Sequence, residues 1–293
     1  RAGDGVKQAV SEYETATVKI VEGGFNQAEW QDKVTELAAT EKYELIVSSN
    51  PALPEISRRV SESFPNQNFL LFDGYLEGAE NIYTFRYNQF EQAFLSGHMA
   101  GLVTTSSMEG ANEDLRIGLI AGQEYPDMNQ AILPGFERGA RWVNEDISVD
   151  FRVVGNWYDA TKAGEMANSM IKSGVDVILT IAGGANQGVL KTSKDSGTYV
   201  LWFDTNGYDK AAGVVIGSTA LRQEKAAYQK TKQAIEGRLD FGSADVVGVE
   251  NGWITFLNED PLFIRHVPED LQARQSEVLE KMQSGEISFE MPK

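Results

Sequence analysis

The residues of this chain that could do chemistry follow its predicted strands, and they are of types that bind a ligand. Glycines let a backbone approach a ligand closely, amides and carboxylates orient it, and exposed rings offer faces for stacking. Segments of this composition are 23–27, 49–50, 73–75, 122–125, 156–158, 183–187 and 204–208. Together they predict a pocket for a planar, neutral molecule that is rich in hydrogen-bonding groups.

The candidate ligand contacts within these segments are Phe25, Asn26, Asp73, Tyr75, Gln123, Tyr125, Trp157, Gly184, Asn186, Trp202, Asp204 and Asn206. The alternative for any one segment is that its Gly, Asn and Asp only form a turn. The large rings are stronger evidence for a ligand, because a turn does not require an aromatic side chain. Phe25, Trp157 and Trp202 therefore favour a ligand over a purely structural role.

Groups for catalysis or metal binding are scarce in this sequence. It contains no cysteine, and its two histidines, His98 and His266, are far apart in the chain. The glycine-rich segment 183–188 has Ala185 where the dinucleotide-binding fingerprint needs its second glycine. We therefore predict no catalytic residues and no metal site, and we expect a binding protein; an enzyme is the competing class.

Acidic residues outnumber basic ones, with 43 Asp and Glu against 26 Lys and Arg and a formal net charge of −17. Such a charge makes a phosphate backbone a poor partner, which argues against nucleic-acid binding. No uncharged apolar run reaches the roughly 18 to 20 residues that a membrane-spanning helix needs.

Short apolar runs alternate with longer amphipathic stretches, and this rhythm is typical of parallel α/β sheets. It predicts strands near 17–21, 44–48, 68–72, 116–120, 151–155, 175–181, 199–203 and 213–216. The polar segment 104–114 lacks apolar periodicity and is the predicted domain boundary. We expect one lobe from residues 1–112 with about 219–240, and another from 113–218 with about 241–293.

Several motifs in this sequence resemble those of the basic membrane protein family, the nucleoside-type solute-binding lipoproteins of bacterial ABC importers. They are Phe-Asn-Gln-Ala-Glu-Trp at 25–30, Phe-Leu-Ser-Gly at 94–97, Gly-Phe-Glu-Arg-Gly at 135–139, Ala-Gly-Gly with a later Gly at 182–188, Phe-Asp at 203–204 and Ser-Gly-Glu-Ile at 284–287. Each motif is weak alone, but their order and spacing make the resemblance specific.

The resemblance implies a type I periplasmic-binding fold, in which two Rossmann-like lobes with parallel sheets close on a ligand in the cleft between them. It implies a membrane permease as partner, an extracytoplasmic location and an N-terminal lipid tether. We also expect the family's first strand to lie before residue 1. A receptor that signals to a membrane kinase would need the same cleft, so that alternative stays open.

The resemblance also implies roles for single residues. Phe25 would offer an aromatic face to the bound ring, and Asp204 would hold sugar hydroxyls. Asn206 and Leu221 stand where the family's nucleoside binders have an aspartate and a lysine. Because Trp157, Trp202 and Tyr125 are gained as well, we expect a wider ring and predict riboflavin as the ligand; a purine nucleoside is the alternative.

Overall fold

The computed structural model describes residues 2–24 and 26–291 as helices alternating with mostly parallel strands. The helices are α1 (Ala2–Ser11), α2 (Trp30–Ala39), α3 (Leu53–Ser63), α4 (Gln89–Thr104), α5 (Leu133–Val143), α6 (Ala160–Lys172), α7 (Asn186–Ser196), α8 (Gln223–Ile235), α9 (Pro261–His266) and α10 (Glu269–Gln283). The strands are β1 (Leu45–Ser49), β2 (Asn68–Phe72), β3 (Ile82–Tyr87), β4 (Arg116–Ala121), β5 (Ser148–Val153), β6 (Val175–Ile181), β7 (Tyr199–Trp202), β8 (Val215–Leu221), β9 (Ala244–Val247) and β10 (Ile254–Phe256). The predicted α/β class is confirmed.

The first compact unit consists of the described residues up to Tyr87 together with Arg222–Val247. Its four strands are all parallel and lie in the order β1-β2-β3-β9. On one face of the sheet, Phe69 and Leu71 pack with Val34 of α2 and Val60 of α3. Because side chains alternate along a strand, the intervening residues of β2 face the opposite side, where they are also buried.

The second compact unit consists of Asn88–Leu221 and the described residues from Gly248 onward. Its six strands lie in the order β10-β8-β7-β6-β4-β5, and only β10 runs antiparallel to its neighbour. Every residue of β6 is buried, as expected for a parallel strand covered on both faces. Helix α4 is likewise buried along almost its whole length.

Glycines let α4 and α5 approach each other closely. A Cβ atom at Gly97 would lie 2.0 Å from the carbonyl oxygen of Phe136, and one at Gly139 would lie 2.1 Å from that of Phe94. No side chain fits at such distances. The motifs at 94–97 and 135–139 therefore serve this helix packing.

The position of α4 changes the division of the chain that the sequence suggested. We expected residues 88–112 in the first lobe, with the boundary at 104–114. The chain instead passes between the units at 87–88, 221–222 and 247–248. Helix α4 belongs to the second unit because its apolar residues are buried there on all sides, against α5, α10 and the six-stranded sheet.

The strand predicted at 17–21 is not formed. These residues have no regular secondary structure and no paired neighbour among the described strands, and Ile20 is 52% exposed. A cavity of about 880 Å³ separates part of this segment from β1 and α2. The segment does not pair with β1, the edge strand of its sheet, so its backbone groups lack the ladder that a strand requires.

The strands predicted at 68–72 and 175–181 form with those bounds, and the remaining ones form with shifted ends. The strand predicted at 151–155 spans Ser148–Val153, and the one predicted at 213–216 spans Val215–Leu221. The sequence analysis missed β3, β9 and β10. The last two are only four and three residues long, and a run that short carries little periodicity.

The segment 104–114 is anchored to the second unit by a buried carboxylate. One oxygen of Asp176 accepts hydrogen bonds from Oγ1 of Thr104 and from the backbone N–H of Asn112, both at 2.9 Å. The other oxygen is buried and has no hydrogen-bond partner among the described residues. Burial raises the pKa of Asp176 to about 6. This segment is therefore a fixed loop of the second unit.

Replacement of Gly97 by alanine tests the helix packing. The added methyl group would collide with the Phe136 carbonyl, so we expect Gly97→Ala to lower the free energy of unfolding by about 1–3 kcal/mol. Gly3→Ala is the matched control, since Gly3 is also helical but a Cβ there meets nothing within 4 Å. Urea unfolding followed by tryptophan fluorescence measures both. Equal stability of the two variants would contradict this packing.

Asp176 predicts a pH dependence of stability. Its folded-state pKa of about 6 exceeds the ordinary value of 3.8, so the folded state binds the proton more tightly. This contribution is present below about pH 4 and is lost as the pH rises through 6. Relative to wild type, Asp176→Asn should therefore gain about 2–3 kcal/mol between about pH 4 and pH 7.5. A difference that stays constant in urea unfolding across this range would contradict the assignment.

Candidate functional site

The candidate site of the second unit lies at the carboxyl ends of β5, β4, β6 and β7. Strand β4 has β5 on one side and β6 on the other, which is the reversal of strand order where ligands bind in open α/β sheets. Backbone hydrogen bonds join the loops there: Gly155 N–H to the Gly122 carbonyl at 2.9 Å, and Gly122 N–H to the Ile181 carbonyl at 2.8 Å. The loops therefore form one continuous surface.

Trp157 is the largest exposed ring on this surface, with 42% of the residue accessible. One side of its indole is backed by glycine, because a Cβ at Gly122 would lie 2.4 Å from Cε3 of Trp157. Gly183 lies close to the same residue. The ring of Tyr125 is 6.2 Å from that of Trp157, at an interplanar angle of 42°. The structure thus brings together two of the predicted aromatic contacts.

Asp204 lies near this aromatic pair. Its backbone is in the left-handed region, with φ of 67°, which aspartate tolerates better than most residues. Burial raises the pKa of the Tyr125 hydroxyl, and the negative charges of Asp204 and Asp127 raise it further. A tyrosine hydroxyl is protonated at neutral pH even at its ordinary pKa of about 10, so Tyr125 can donate a hydrogen bond.

Trp202 has a structural role, and its predicted contact with the ligand stays a prediction. Its indole N–H donates to Oγ1 of Thr205 at 3.1 Å, and a Cβ at Gly207 would lie 2.2 Å from its Cγ atom. The turn that follows β7 thus covers part of the ring and binds its nitrogen. Trp202 builds the turn that presents Asp204, and it offers less free surface than Trp157.

The amide side chains of the second unit are largely occupied by local contacts. The buried oxygen of Asn186 accepts from Oγ1 of Thr180 and from the N–H of Ala182, both at 2.7 Å. Asn206 donates to Asp260 at 2.7 Å and accepts from the N–H of Tyr208 at 3.0 Å.

Gln123 and Gly184 are also exposed on this surface. Gln123 donates to the carbonyl of Gly155 at 3.3 Å. A Cβ at Gly184 would lie 3.4 Å from the carbonyl oxygen of Trp157. Both residues therefore lie within the loops that carry the aromatic pair.

The first unit carries its own group of candidates. Asp73 follows β2 with φ of 63° and accepts a hydrogen bond of 2.7 Å from the hydroxyl of Ser49. Burial raises the pKa of Asp73. Tyr75 is exposed, and the guanidinium of Arg86 lies 5.1 Å from the centre of its ring.

Asn26 and Phe25 complete the predicted contacts of the first unit. Asn26 is exposed; its oxygen accepts from the N–H of Ala28, and its amide donates to Glu29. Phe25 lies outside the described residues, so its predicted contact with the ligand stays a prediction.

Sequence reasoning missed Gln92 of α4. This residue is fully buried, and its amide donates to Oδ1 of Asp204 at 3.0 Å and to Oγ1 of Thr219 at 3.2 Å. A polar residue within an apolar helix was the available signal, since such a residue is buried only with a partner.

Comparison with known proteins identifies the family. The sequence profile described as "ABC transporter substrate-binding protein PnrA-like" matches residues 1–288. The chain belongs to this family. The resemblance to basic membrane proteins is thereby confirmed, and a PnrA-like substrate-binding protein agrees with the prediction that the chain is not an enzyme. The family is extracytoplasmic, as predicted.

Individual relatives of this PnrA-like chain are distant. It is 28% identical over 157 residues to the ABC transporter nucleoside-binding protein BmpA of Lactococcus lactis, covering 54% of this chain and 42% of the relative. It is 27% identical over 210 residues to basic membrane protein D of Borreliella burgdorferi, covering 69% and 59%. The matched region thus spans about two-fifths to three-fifths of these curated relatives.

A solved structure confirms the fold of the PnrA-like chain. It is described as an ABC transporter system solute-binding protein from Aeropyrum pernix K1. The TM-score is 0.79 at 20% identity, with 100% of this chain and 88% of the other covered. At this identity the likeness shows the fold, which is the predicted periplasmic-binding type.

Two further observations concern the described part of this PnrA-like chain. None of its helices is long and apolar enough to cross a membrane. Within the same residues, no group of three or more His, Asp or Glu side chains is placed to hold a metal ion.

Replacement of Asn186 tests its structural role. Asn186→Ala would leave the Thr180 hydroxyl and the Ala182 N–H without their acceptor, and we expect a loss of about 2 kcal/mol in unfolding free energy. Asn186→Asp keeps an acceptor oxygen and adds a charge at the start of α7, where it is favourable, so it should retain more stability. Urea unfolding measures both; full stability of the alanine variant would contradict the structural role.

Proposed function

We propose that this protein is the receptor of an ABC importer and that it binds riboflavin on the strand-end loops of its second unit. The observation that carries the proposal is the exposed indole of Trp157, backed by the glycine at position 122 and placed beside Tyr125 and near Asp204. An aromatic platform and a carboxylate on one surface suit a flat ring that carries hydroxyl groups.

The ring of the ligand would stack on Trp157. The close contact with Gly122 holds the indole in place, so little of its freedom remains to be lost on binding. Stacking of a base on an aromatic side chain contributes about 1–3 kcal/mol, and we expect a similar gain for a flavin. Tyr125, whose hydroxyl is protonated at neutral pH, would donate to an acceptor on the ring.

The hydroxylated chain of the ligand would bind to Asp204. A carboxylate accepts hydrogen bonds and repels anions. Asp127 lies close enough to Tyr125 to add to the same negative potential. This charge favours a neutral polyol chain or sugar over its phosphorylated form.

A purine nucleoside is the second candidate ligand, and two observations favour it. The relative from Lactococcus lactis is named as a nucleoside-binding protein. Trp202 is bound into its own turn, so the second unit offers one large free ring, which suffices for a purine.

The partner follows from the same proposal. A receptor of an ABC importer delivers its ligand to a membrane permease, and we propose a permease as the partner of this chain. Belonging to the substrate-binding family supports this partner. The N-terminal lipid tether stays a prediction from the family resemblance, as does the alternative of a signalling receptor.

Calorimetric titration with riboflavin, inosine, adenosine and guanosine tests the proposal. We expect micromolar or tighter binding of riboflavin, which corresponds to about 8 kcal/mol or more. Trp157→Ala should weaken that binding at least about tenfold, because the stacking platform is lost. The matched control is Trp142→Ala, which removes an indole of similar exposure, 46%, from helix α5 of the same unit.

The outcomes separate the candidates. Binding of riboflavin that Trp157→Ala weakens and Trp142→Ala leaves unchanged supports the proposed ligand and site. Tight binding of a nucleoside with no response to riboflavin would replace the ligand and keep the receptor function. Equal effects of the two tryptophan variants would contradict the assignment of the site.

A further inference from the structure

Gln92 lies beneath the carboxylate of Asp204 and faces it with its amide nitrogen. Its Nε2 is 3.0 Å from Oδ1 of Asp204 and 3.2 Å from Oγ1 of Thr219. The whole residue is buried, so water does not compete for these hydrogen bonds. The carboxylate fixes which way the amide points, because a carboxylate oxygen only accepts and the amide nitrogen only donates.

Within the described part of the chain, the oxygen of the Gln92 amide is not satisfied by a hydrogen bond. Oε1 of Gln92 is buried and has no hydrogen-bond partner among the described residues. A buried carbonyl without a donor is destabilising. A glutamine that served stability alone would satisfy both ends of its amide, whereas here only the end that faces Asp204 and Thr219 is satisfied.

The contact with Gln92 holds a residue whose backbone conformation is uncommon. With φ of 67°, this residue departs from the region that most side chains prefer. It lies on a turn whose other side is held by Trp202 through Thr205. The amide from α4 adds an anchor from the core of the unit, and it leaves the carboxylate held at a defined place and angle.

We propose that Gln92 is a positioning residue for ligand recognition: it orients the Asp204 carboxylate toward the hydroxyl groups of the ligand. This inference rests on the proposed function, since it requires that Asp204 binds the ligand. It adds a specificity-determining residue that does not itself touch the ligand.

The variant Gln92→Glu gives a pH-dependent test. When the introduced carboxyl group is protonated, its O–H can donate to Asp204 as the amide does. When that group is ionised, two carboxylates face each other and repel. Two other titratable groups, Tyr125 and Asp127, act on the same surface. A third, Glu91, is adjacent to Gln92 in α4, and its carboxylate accepts from the backbone N–H groups of residues 249 and 289.

The measurement is the dissociation constant for riboflavin, or for the nucleoside that binds, from about pH 5 to pH 8 in wild type, Gln92→Glu and Gln92→Met. We expect Gln92→Glu to bind nearly as wild type at low pH and at least about tenfold more weakly at high pH. Gln92→Met, which cannot donate at any pH, should bind more weakly throughout.

Gln275→Met is the control for loss of a buried amide. Gln275 is fully buried in the same unit and contacts His98 and the carbonyl of Leu95. We expect this variant to lose stability without a change in affinity. Equal affinity and an equal pH profile in wild type and Gln92→Glu would overturn the inference while leaving the receptor function intact.

A second readout does not depend on ligand. Carbon NMR of the side-chain carboxyls, with Asp204 assigned by its loss in Asp204→Asn, follows the titration of Asp204 directly. Loss of a donor disfavours the ionised form, so Gln92→Met should shift this titration to higher pH, and Gln275→Met should not. An unshifted titration in Gln92→Met would overturn the inference even if none of the four ligands binds, an outcome that would separately refute the proposed ligands.

Discussion

Close approach of helix backbones, made possible by glycine, is the constraint on which the second unit depends. Because Gly97 has no Cβ, α4 can approach the Phe136 carbonyl of α5 closely. Because Gly139 has none, α5 can approach the Phe94 carbonyl of α4. Helix α4 can then lie buried against the six-stranded sheet, with almost every residue enclosed. Its buried amide at position 92 is thereby placed under the end of β7, where it meets Asp204. Packing between two helices thus places the amide that binds the carboxylate of Asp204.

Glycines also leave room for neighbouring groups at the surface. Gly122 leaves space for the indole of Trp157, just as Gly207 leaves space for that of Trp202. The two tryptophans nevertheless differ, because the nitrogen of Trp202 is bound by Thr205 while much of Trp157 stays exposed. One ring therefore builds a turn and the other offers a platform. The proposed function uses both, with the turn holding the carboxylate and the free ring stacking on the ligand.

The sequence predicts the fold well wherever periodicity is long. The strand predicted at 175–181 and the helix predicted from apolar periodicity at 90–104 both form, because their apolar residues extend over a full strand or several turns. The assignment of α4 to the first lobe was wrong, since a polar loop at 104–114 resembles a linker until Asp176 is seen to anchor it. The polar residue Gln92 within an apolar helix signals a buried partner, but its partners Asp204 and Thr219 lie far away in the chain. The contact of Trp202 with Thr205 depends on the shape of a turn.

The central claim is that an exposed ring and an oriented carboxylate on one surface bind a flat, hydroxylated ligand. The most direct test is the visible absorption spectrum of riboflavin during titration with the protein and with Trp157→Ala. Stacking on the indole predicts a saturable change in the flavin bands with wild type and a much smaller one with the variant. Flavin bands that stay unchanged in excess protein, together with calorimetric binding of a purine nucleoside, would contradict riboflavin as the ligand of this surface.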